Sequence, residues 1–418
     1  MASEKFLVVD DAEENLLFFQ VVLKEMGITE VMTATNGHDA LKKAEAEKVK
    51  FVIIAWEMSP MPGTVFVQKF TEPAKRKHIP CLIYSKKMST DEVKLTQDLG
   101  LKDILGMPFD RAKVKEIITL MKEREESLSP IELTLRKIED YMEERRAHDA
   151  LTLFNDNKLM SKGPHLPRAK TLMADVYMEI NKSEKSEALL KEALGQDEHY
   201  LPALRLLAKL YSKQGKHEES IKILETLTEE SPKNLASKVS LGCAYVDADK
   251  HDKAREVLSD VLDLDESSRG AKDEMGKLAF KEGDISLAAK FLAETKNGTE
   301  LARDFNNMAI AFVAQGQHDK GIEIYHNALK VLSDKAKLHL LYYNLGLAWR
   351  KKGDLNLAFK ELSTSFLSEP TYEKAYSSLA KVVKEMKEKN MPLDNATIQK
   401  VRQARTDNPP PATPPKED

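Results

Sequence analysis

From about residue 130 to residue 371 the sequence repeats itself at intervals of about 34 residues. The stretch 206–232 aligns with the stretch 240–266 without a gap. Such a period is typical of stacked helix pairs, because one pair cannot bury its apolar face alone whereas a stack buries a continuous core. The sequence therefore predicts an all-helical stack. Its six recognisable units begin near Pro167, Leu201, Leu235, Arg269, Ala302 and His339.

Each unit carries a small residue where its two helices approach closely, and in five of the six an aromatic residue follows three positions later. A small side chain lets the helix backbones come together, and the aromatic ring fills the next gap. The small residues are Ala174, Ala208, Gly242, Gly276, Ala309 and Gly346, and the aromatic residues are Tyr177, Tyr211, Tyr245, Phe312 and Trp349.

These positions resemble the signature W-x2-L-G-x2-Y, with a later Ala and a terminal Pro, of the tetratricopeptide-repeat (TPR) family. The resemblance implies a right-handed α-solenoid of about seven repeats over residues 126–371, the first of which (131–165) is degenerate. Amphipathic patterns over 372–404 predict capping helices. Residues 405–418 are rich in proline and charge and predict a disordered tail.

The first 125 residues follow a different pattern, in which short apolar segments rich in β-branched residues alternate with helical spacing. The segments are 6–10, 31–35, 51–55, 79–85 and 102–107. Their lengths suit strands that are buried on both faces. Five such β/α units predict an α/β domain with a doubly wound, five-stranded parallel sheet, and any site is expected at the carboxyl ends of the strands.

The residues at those strand ends resemble the receiver domain of bacterial response regulators, which has a flavodoxin-like (CheY-like) fold. The resemblance rests on Asp10 and Asp11 after the first strand, AWEMSPMPG at 55–63, Ser85 after the fourth strand and MPF at 107–109. In that family two acidic residues hold Mg²⁺ and an aspartate accepts a phosphoryl group. A Ser or Thr and a Lys bind the transferred oxygens.

Two positions that carry the family's chemistry depart from its pattern. D-W-N-M-P-x-M-x-G runs along 55–63 without a gap, so the phospho-acceptor position is Ala55, and the phosphate-binding lysine of K-P-F is Met107. A methyl group cannot form an acyl phosphate, so the resemblance implies a pseudo-receiver with no catalytic residue. Asp10 and Asp11 remain as a vestigial metal pair. Two interpretations of this pair stay open, which are weak residual Mg²⁺ binding and a solvated acidic pocket without a bound ion. No other cofactor is expected.

The resemblance also assigns groove positions to the first helix of each repeat, where a partner would bind. They are Arg205, Lys209 and Lys213 in one unit, Arg303, Asn306 and Asn307 in another, and Tyr343, Asn344, Arg350 and Lys351 in the next. Amides can bond both backbone groups of an extended peptide, and arginines favour acidic side chains or a terminal carboxylate. The alternative is that these are ordinary solvated residues. Val239 and Cys243 at groove positions disfavour a chaperone-tail clamp.

Composition excludes several classes of function. A formal net charge of −4 provides no basic excess for nucleic acid, and two distant cysteines make no disulfide framework. No apolar run is long enough to insert in a membrane, no secretory signal is visible, and the common hydrolase and phosphate-loop motifs are missing. The sequence thus predicts a cytoplasmic, non-enzymatic bacterial signalling scaffold that binds protein partners. A homodimer through the receiver surface stays open. The alternative is a phosphorylation-switched regulator modified at Glu57 or Ser59.

Overall fold

In the computed structural model, the apolar segments of the first 125 residues pair into one parallel sheet. The strands are β1 (Phe6–Val9), β2 (Val31–Ala34), β3 (Phe51–Ala55), β4 (Cys81–Ser85) and β5 (Asp103–Gly106). Their order is β2-β1-β3-β4-β5, so the carboxyl ends of β1, β3 and β4 are neighbours. The fourth strand begins two residues later than predicted, because Pro80 has no amide hydrogen to donate; its carbonyl accepts from Val52 N at 3.0 Å.

Helices connect and cover the strands, as expected for a doubly wound domain. They are α1 (Glu13–Glu25), α2 (Gly37–Ala46), α3 (Gly63–Thr71), α4 (Ala74–Lys77), α5 (Thr90–Asp98) and α6 (Arg111–Glu126). Short polar side chains start three of these helices: Asn36 caps α2, Ser89 forms a capping box with Glu92 on α5, and Asp110 caps α6. The short helix α4 is not among the elements that the sequence predicts.

Helix pairs follow the α/β domain. The first four pairs are α7 (Pro130–Glu143) with α8 (Ala147–Asp156), α9 (Leu166–Glu179) with α10 (Ser183–Leu194), α11 (Leu201–Lys213) with α12 (His217–Glu230), and α13 (Leu235–Asp247) with α14 (His251–Leu264). Buried serines tie two of these pairs together: Ser186 Oγ donates to the Ala174 carbonyl at 2.7 Å, and Ser220 Oγ to the Ala208 carbonyl at 2.9 Å.

The remaining pairs are α15 (Arg269–Lys281) with α16 (Ile285–Thr295), α17 (Gly298–Ala314) with α18 (His318–Val331), α19 (Leu338–Lys352) with α20 (Leu355–Ser368), and α21 (Glu373–Glu388) with α22 (Asn395–Asp407). Glycines mark the closest approaches: a Cβ on Gly276 would lie 2.7 Å from Leu292 Cγ, and one on Gly346 would lie 2.7 Å from Leu362 Cγ. The small residues that recur in the sequence therefore lie where paired helices contact each other closely.

The structure describes residues 4–156, 159, 163–295, 298–332 and 338–409, and the chain divides into two compact units, Met1–Ser268 and Arg269–Asp418. The predicted class, a five-stranded parallel α/β domain followed by helical repeats, is confirmed. The last helix of the α/β region, α6, ends at Glu126, one residue past the predicted division at residue 125. The first compact unit nevertheless continues to Ser268, because the α/β domain packs on the first four helix pairs.

The C-terminal end differs slightly from the prediction. Helix α22 extends through Asp407, past the predicted start of the tail at residue 405, because its last turn is anchored by the ion pair of Arg405 with Glu373. Residues 410–418, where most of the predicted tail falls, lie outside the described residues. Within the described ranges, no helix is both long and apolar enough to cross a membrane.

Candidate functional site

Asp10 directly follows β1 and is buried at the carboxyl edge of the sheet. Its carboxylate accepts hydrogen bonds from Ala12 N at 2.7 Å, from Asn15 Nδ2 at 2.8 Å and from the hydroxyl of Tyr84. Three protein donors therefore satisfy most of the lone pairs that this carboxylate would offer to a metal ion.

Tyr84, the penultimate residue of β4, is a site residue that the sequence analysis missed. Its ring packs against Phe19 and Phe109, with centroids 4.9 and 5.5 Å away, while its hydroxyl reaches Asp10. Burial raises the pKa of Tyr84, and the hydrogen bond and negative charge of Asp10 raise it further. The phenol consequently remains protonated and keeps donating to Asp10 at physiological pH.

The acceptor and lysine positions of the predicted site are apolar. Ala55, the last residue of β3, is only 4% exposed and belongs to the core between the sheet and α1 and α6. Met107 follows β5 and packs partly buried against the same core. The structure thus places a methyl group and a thioether where a phosphotransfer site needs a carboxylate and an ammonium group.

Glu57, two residues beyond β3, reaches the hydroxyl that ends β4. Ser85 Oγ donates to Glu57 Oε1 at 2.6 Å, and the backbone N–H of Lys86 lies 3.3 Å from the same oxygen. On the other side of the loop, Ser59 N donates to Asp11 Oδ2 at 2.9 Å. The sequence analysis identified Ser85 as a residue that is retained from the family pattern. It did not predict the hydrogen bond from Ser85 to Glu57.

The residue content of this edge limits its metal chemistry. Within the residues that the structure describes, no group of three or more His, Cys, Asp or Glu side chains is placed to hold a metal ion. The metal role of Asp10 and Asp11 stays a prediction, and two carboxylates alone make a weak site for Mg²⁺.

A second set of contacts joins the α/β domain to the helical repeats within the first compact unit. Lys94 Nζ makes one of them, a 3.4 Å bond to the Glu229 carbonyl. Six further side chains carry the ion pairs and the paired amide bonds, and we call these six the docking face: Gln68, Lys69, Lys77, His78, Glu92 and Asp98. They come from α3, α4 and α5 and the residue after α4, on one side of the sheet.

At one end of the docking face, Lys77 and His78 meet Glu139 of α7. Lys77 Nζ lies 3.4 Å from Glu139 Oε1, and His78 Nε2 contacts Oε2, which also accepts from Arg168 at 3.0 Å. Burial opposes ionisation of Glu139. The hydrogen bond from His78 and the positive charges of Lys77 and Arg168 outweigh it and lower the pKa of Glu139 to about 2.

In the middle, Asp98 at the end of α5 is completely buried between two repeat residues. Its carboxylate pairs with the guanidinium of Arg205 and accepts from Asn234 Nδ2 at 2.6 Å. Glu92, at the other end of α5, pairs with Lys233 at 3.0 Å. Arg205 was predicted as a partner-binding groove residue; in the structure the carboxylate that it meets belongs to the docked α/β domain, and its role towards a partner stays a prediction. Lys209 and Lys213, one and two turns further along α11, are exposed.

Gln68 and Lys69 on α3 complete the docking face. Gln68 Nε2 donates to the Lys233 carbonyl at 3.0 Å, and Gln68 Oε1 accepts from Leu235 N at 2.7 Å. Lys69 Nζ lies 2.7 Å from Asp265 Oδ2 and 2.6 Å from Ser267 Oγ. The sequence analysis missed the six residues of the docking face because their partners lie 61 to 198 positions away and no local pattern marks them.

The other predicted groove residues belong to the second compact unit. Arg303 and Asn307 on α17 and Lys351 on α19 are exposed. Asn344 does not stand alone, because its Nδ2 donates to Asn306 Oδ1 at 2.6 Å.

Two further groove residues are engaged by α21 and the residue before it. The ring of Tyr343 meets Tyr372 edge to face at 5.2 Å, and Arg350 pairs with Glu385. Of the predicted set in this unit, Arg303, Asn307 and Lys351 therefore present the most accessible polar groups.

Comparison with protein families agrees with both resemblances. Residues 6–119 match the response regulator receiver domain, and residues 184–241 match the tetratricopeptide repeat. The alkaline phosphatase synthesis transcriptional regulatory protein PhoP of Bacillus subtilis is 28% identical over 128 residues, which are 31% of this chain and 52% of PhoP. The chain thus spans about half the length of PhoP.

The chemotaxis protein CheY of Pseudomonas aeruginosa is 25% identical over 120 residues, 29% of this chain and 97% of that protein. Among solved structures, Vibrio cholerae CheY4 aligns with a TM-score of 0.27 and 27% identity, over 29% of this chain and 98% of CheY4. The APC/C hetero-tetramer Cut9–Hcn1 aligns with a TM-score of 0.40 and 17% identity, over 65% of this chain and 52% of that chain.

Proposed function

We propose that this chain, which carries a response-regulator receiver domain followed by tetratricopeptide repeats, is a phosphorylation-incompetent signalling adaptor of a two-component-type pathway. The receiver contributes a docking surface without phosphotransfer chemistry, and the repeats bind a protein partner. Both kinds of domain are generally non-catalytic, and the receiver relatives are bacterial regulators of transcription and chemotaxis by name.

The single observation that carries the proposal is Ala55. An acyl phosphate needs a carboxylate oxygen at the end of β3, and a buried methyl group occupies that position. Met107 removes the ammonium group that would neutralise the transferred phosphoryl oxygens. Loss of either group would impair phosphotransfer, and both are replaced here.

The bonds of Glu57 add support. Ser85 Oγ and Lys86 N, which adjoin the place of a phosphoryl group, already donate to the Glu57 carboxylate. A carboxylate in that position supplies negative charge without any phosphorylation. We therefore interpret Glu57 as a built-in anion that holds the loop after β4.

The alternative function is a phosphorylation switch at Glu57 or Ser59. Both residues are exposed at the carboxyl edge, which favours access by a phosphodonor. Two contacts argue against it: the Glu57 carboxylate is engaged by Ser85, and Ser59 adjoins the negative charge of Asp11, to which its N–H donates.

A phosphodonor assay separates the two functions. The full chain is incubated with acetyl phosphate and Mg²⁺, and phosphoryl groups are located by intact-mass and peptide mass spectrometry. The adaptor proposal expects no phosphorylation in residues 55–59. A matched variant, Ala55→Asp with Met107→Lys, restores the missing groups and serves as a positive control for the donor and the fold. Phosphorylation of the unmodified chain at Glu57 or Ser59 would overturn the proposal and establish the switch.

A further inference from the structure

The receiver covers part of the surface on which the resemblance places a partner. The docking face contacts α7, α11 and the start of α13, and its Asp98 pairs with Arg205, one of the predicted groove residues. Charges of both signs alternate across the contact: Lys77 and Lys69 meet Glu139 and Asp265, whereas Glu92 and Asp98 meet Lys233 and Arg205. Alternating charges specify one register and disfavour shifted ones.

The central ion pair is the most specific part of this contact. A carboxylate that is fully withdrawn from water is costly unless it is paired and hydrogen-bonded. Asp98 meets that condition through Arg205 and Asn234. Asn234 also caps α13 by accepting from Ser237 N at 2.9 Å, so a residue that starts a repeat helix holds the receiver as well.

Gln68 hydrogen-bonds to the repeat backbone on either side of Asn234. Its side-chain amide donates a hydrogen bond to the Lys233 carbonyl and accepts one from Leu235 N. An extended peptide ligand would bond to these backbone groups through its own N–H and C=O groups. The N–H of Leu235 lies in the first turn of α13, where no carbonyl of the helix can satisfy it. The receiver therefore supplies bonds that an incoming partner would otherwise supply.

The connection between the domains keeps the receiver close. Only residues 127–129 separate α6 from α7, and Arg136 of α7 pairs twice with Glu125 of α6, at 2.8 and 3.1 Å. A short tether gives the docking face a high effective concentration at its binding surface. A free partner has to exceed that concentration to compete.

We propose that the receiver is an autoinhibitory latch on the first repeats. It occupies Arg205 and the start of α13, and a partner gains that surface only by displacing it. The displacing partner presents an acidic helical segment, because this is the chemistry of α5, in which Glu92 and Asp98 engage Lys233 and Arg205. The latch rests on the proposed binding of a partner by the repeats but is independent of phosphotransfer, so its crosslinking test and the phosphodonor assay can fail separately.

Zero-length carbodiimide crosslinking of the full chain tests the latch. The reagent joins a lysine and a carboxylate that are in direct contact, and mass spectrometry identifies the pair. We expect Glu92–Lys233 and Lys69–Asp265 crosslinks, which are 3.0 and 2.7 Å ion pairs. Lys113–Glu116 within α6, also 3.0 Å apart, is the internal control. A mixture of isotopically labelled and unlabelled chains shows whether each crosslink lies within one chain.

Asp98→Arg places two like charges in the buried contact. It should lower both interdomain crosslinks by roughly tenfold and leave Lys113–Glu116 unchanged. Combining it with Arg205→Asp reverses the pair and should restore most of the yield. Gln68→Ala, which removes two hydrogen bonds and no charge, should lower both crosslinks by a smaller factor.

Several results would overturn the latch. The first is that neither interdomain crosslink forms although the control crosslink does. The second is that the interdomain crosslinks join different chains. The third is that the yields of the interdomain crosslinks are unchanged in both Asp98→Arg and Gln68→Ala. If Asp98→Arg misfolds and also loses the control crosslink, the crosslink yields of Gln68→Ala alone decide whether the latch exists.

A peptide probe tests the chemistry of the partner. A peptide of residues 88–100, stapled as a helix, should lower the Glu92–Lys233 crosslink of the unmodified chain at high concentration. The same peptide with Asp98→Asn should be weaker. If neither peptide has an effect, or both have the same effect, the acidic-helix partner is wrong.

Discussion

At the residue scale, Gly242 shows how little space the paired helices leave. A Cβ at this position would lie 2.5 Å from Leu258 Cδ2 and 2.6 Å from Leu258 Cγ, and Leu258 is fully buried. We expect Gly242→Ala to destabilise the first unit by about 1 to 3 kcal/mol, because Leu258 or the helix must move. Thermal and urea unfolding followed by circular dichroism measure the change.

The matched control is Gly195→Ala. Its Cβ would meet Lys191 O at 3.4 Å and Glu192 O at 3.6 Å, which are ordinary contact distances, and Gly195 has a right-handed conformation with φ −66°. This substitution should change stability by less than about 0.5 kcal/mol. Equal effects at both positions would show that the tight approach at Gly242 carries no energetic cost.

The lowered pKa of Glu139 predicts that the free energy of unfolding depends on pH. Its pKa is lowered to about 2 in the folded chain from an ordinary value of 4.5, so the carboxylate stabilises the fold above the ordinary value. The contribution, about 3 kcal/mol at most, is lost as the pH falls from about 5 towards 2. The stability difference between the unmodified chain and Glu139→Gln should therefore shrink over this range, as measured by urea unfolding at successive pH values.

Glu184→Gln, an exposed substitution on α10, is the control for that series. Its difference from the unmodified chain should not vary in the same way. A gap for Glu139→Gln that stays constant down to pH 2 would contradict the role of His78, Lys77 and Arg168 as partners of the ionised carboxylate.

At the scale of elements, α22 closes the second unit. Its Val401 is buried, Ile398 and Ala404 pack beside it, and Arg405 pairs with Glu373 of α21. Deleting residues 392–418 should destabilise the unit by about 3 kcal/mol, because apolar side chains of α20 and α21 lose their cover. Calorimetry on the full chain and on the deletion variant measures the loss.

Deleting only residues 410–418 leaves α22 intact and serves as the control. The melting of this shorter deletion should match that of the full chain. If both deletions melt alike, α22 is dispensable and the capping role assigned to 372–404 is wrong.

At the scale of the whole molecule, binding is expected where polar groove residues remain exposed. Arg303 and Asn307 meet this condition, whereas Asn344 is bonded to Asn306 and Arg350 to Glu385. Replacing Arg303 and Asn307 together with Ala should reduce recovery of a crosslinked partner from native cells by roughly tenfold. Melting should change little, because both side chains are exposed.

Glu323→Ala on α18, the second helix of the same repeat, is the control because its side chain is also exposed but lies outside the predicted groove. It should leave partner recovery unchanged. Recovery that is insensitive to the Arg303 and Asn307 substitutions would refute the groove assignment in the second unit.

The sequence by itself determined the architecture and the residue types at the expected phosphotransfer positions. Alternating apolar segments specified five strands, the 34-residue period specified the helix pairs, and an ungapped motif placed Ala55 where the family pattern has an aspartate. These inferences succeed because periodicity and motif spacing are local properties, which the chain expresses wherever its segments lie in space.

Only the tertiary structure decided which distant side chains meet. Tyr84 bonds to Asp10, Glu57 to Ser85 and Asp98 to Arg205, and no spacing in the sequence marks any of these pairs. Each depends on strand order or on how the receiver packs against the repeats. Energies of such contacts arise from burial and mutual orientation, which exist only once the elements have assembled.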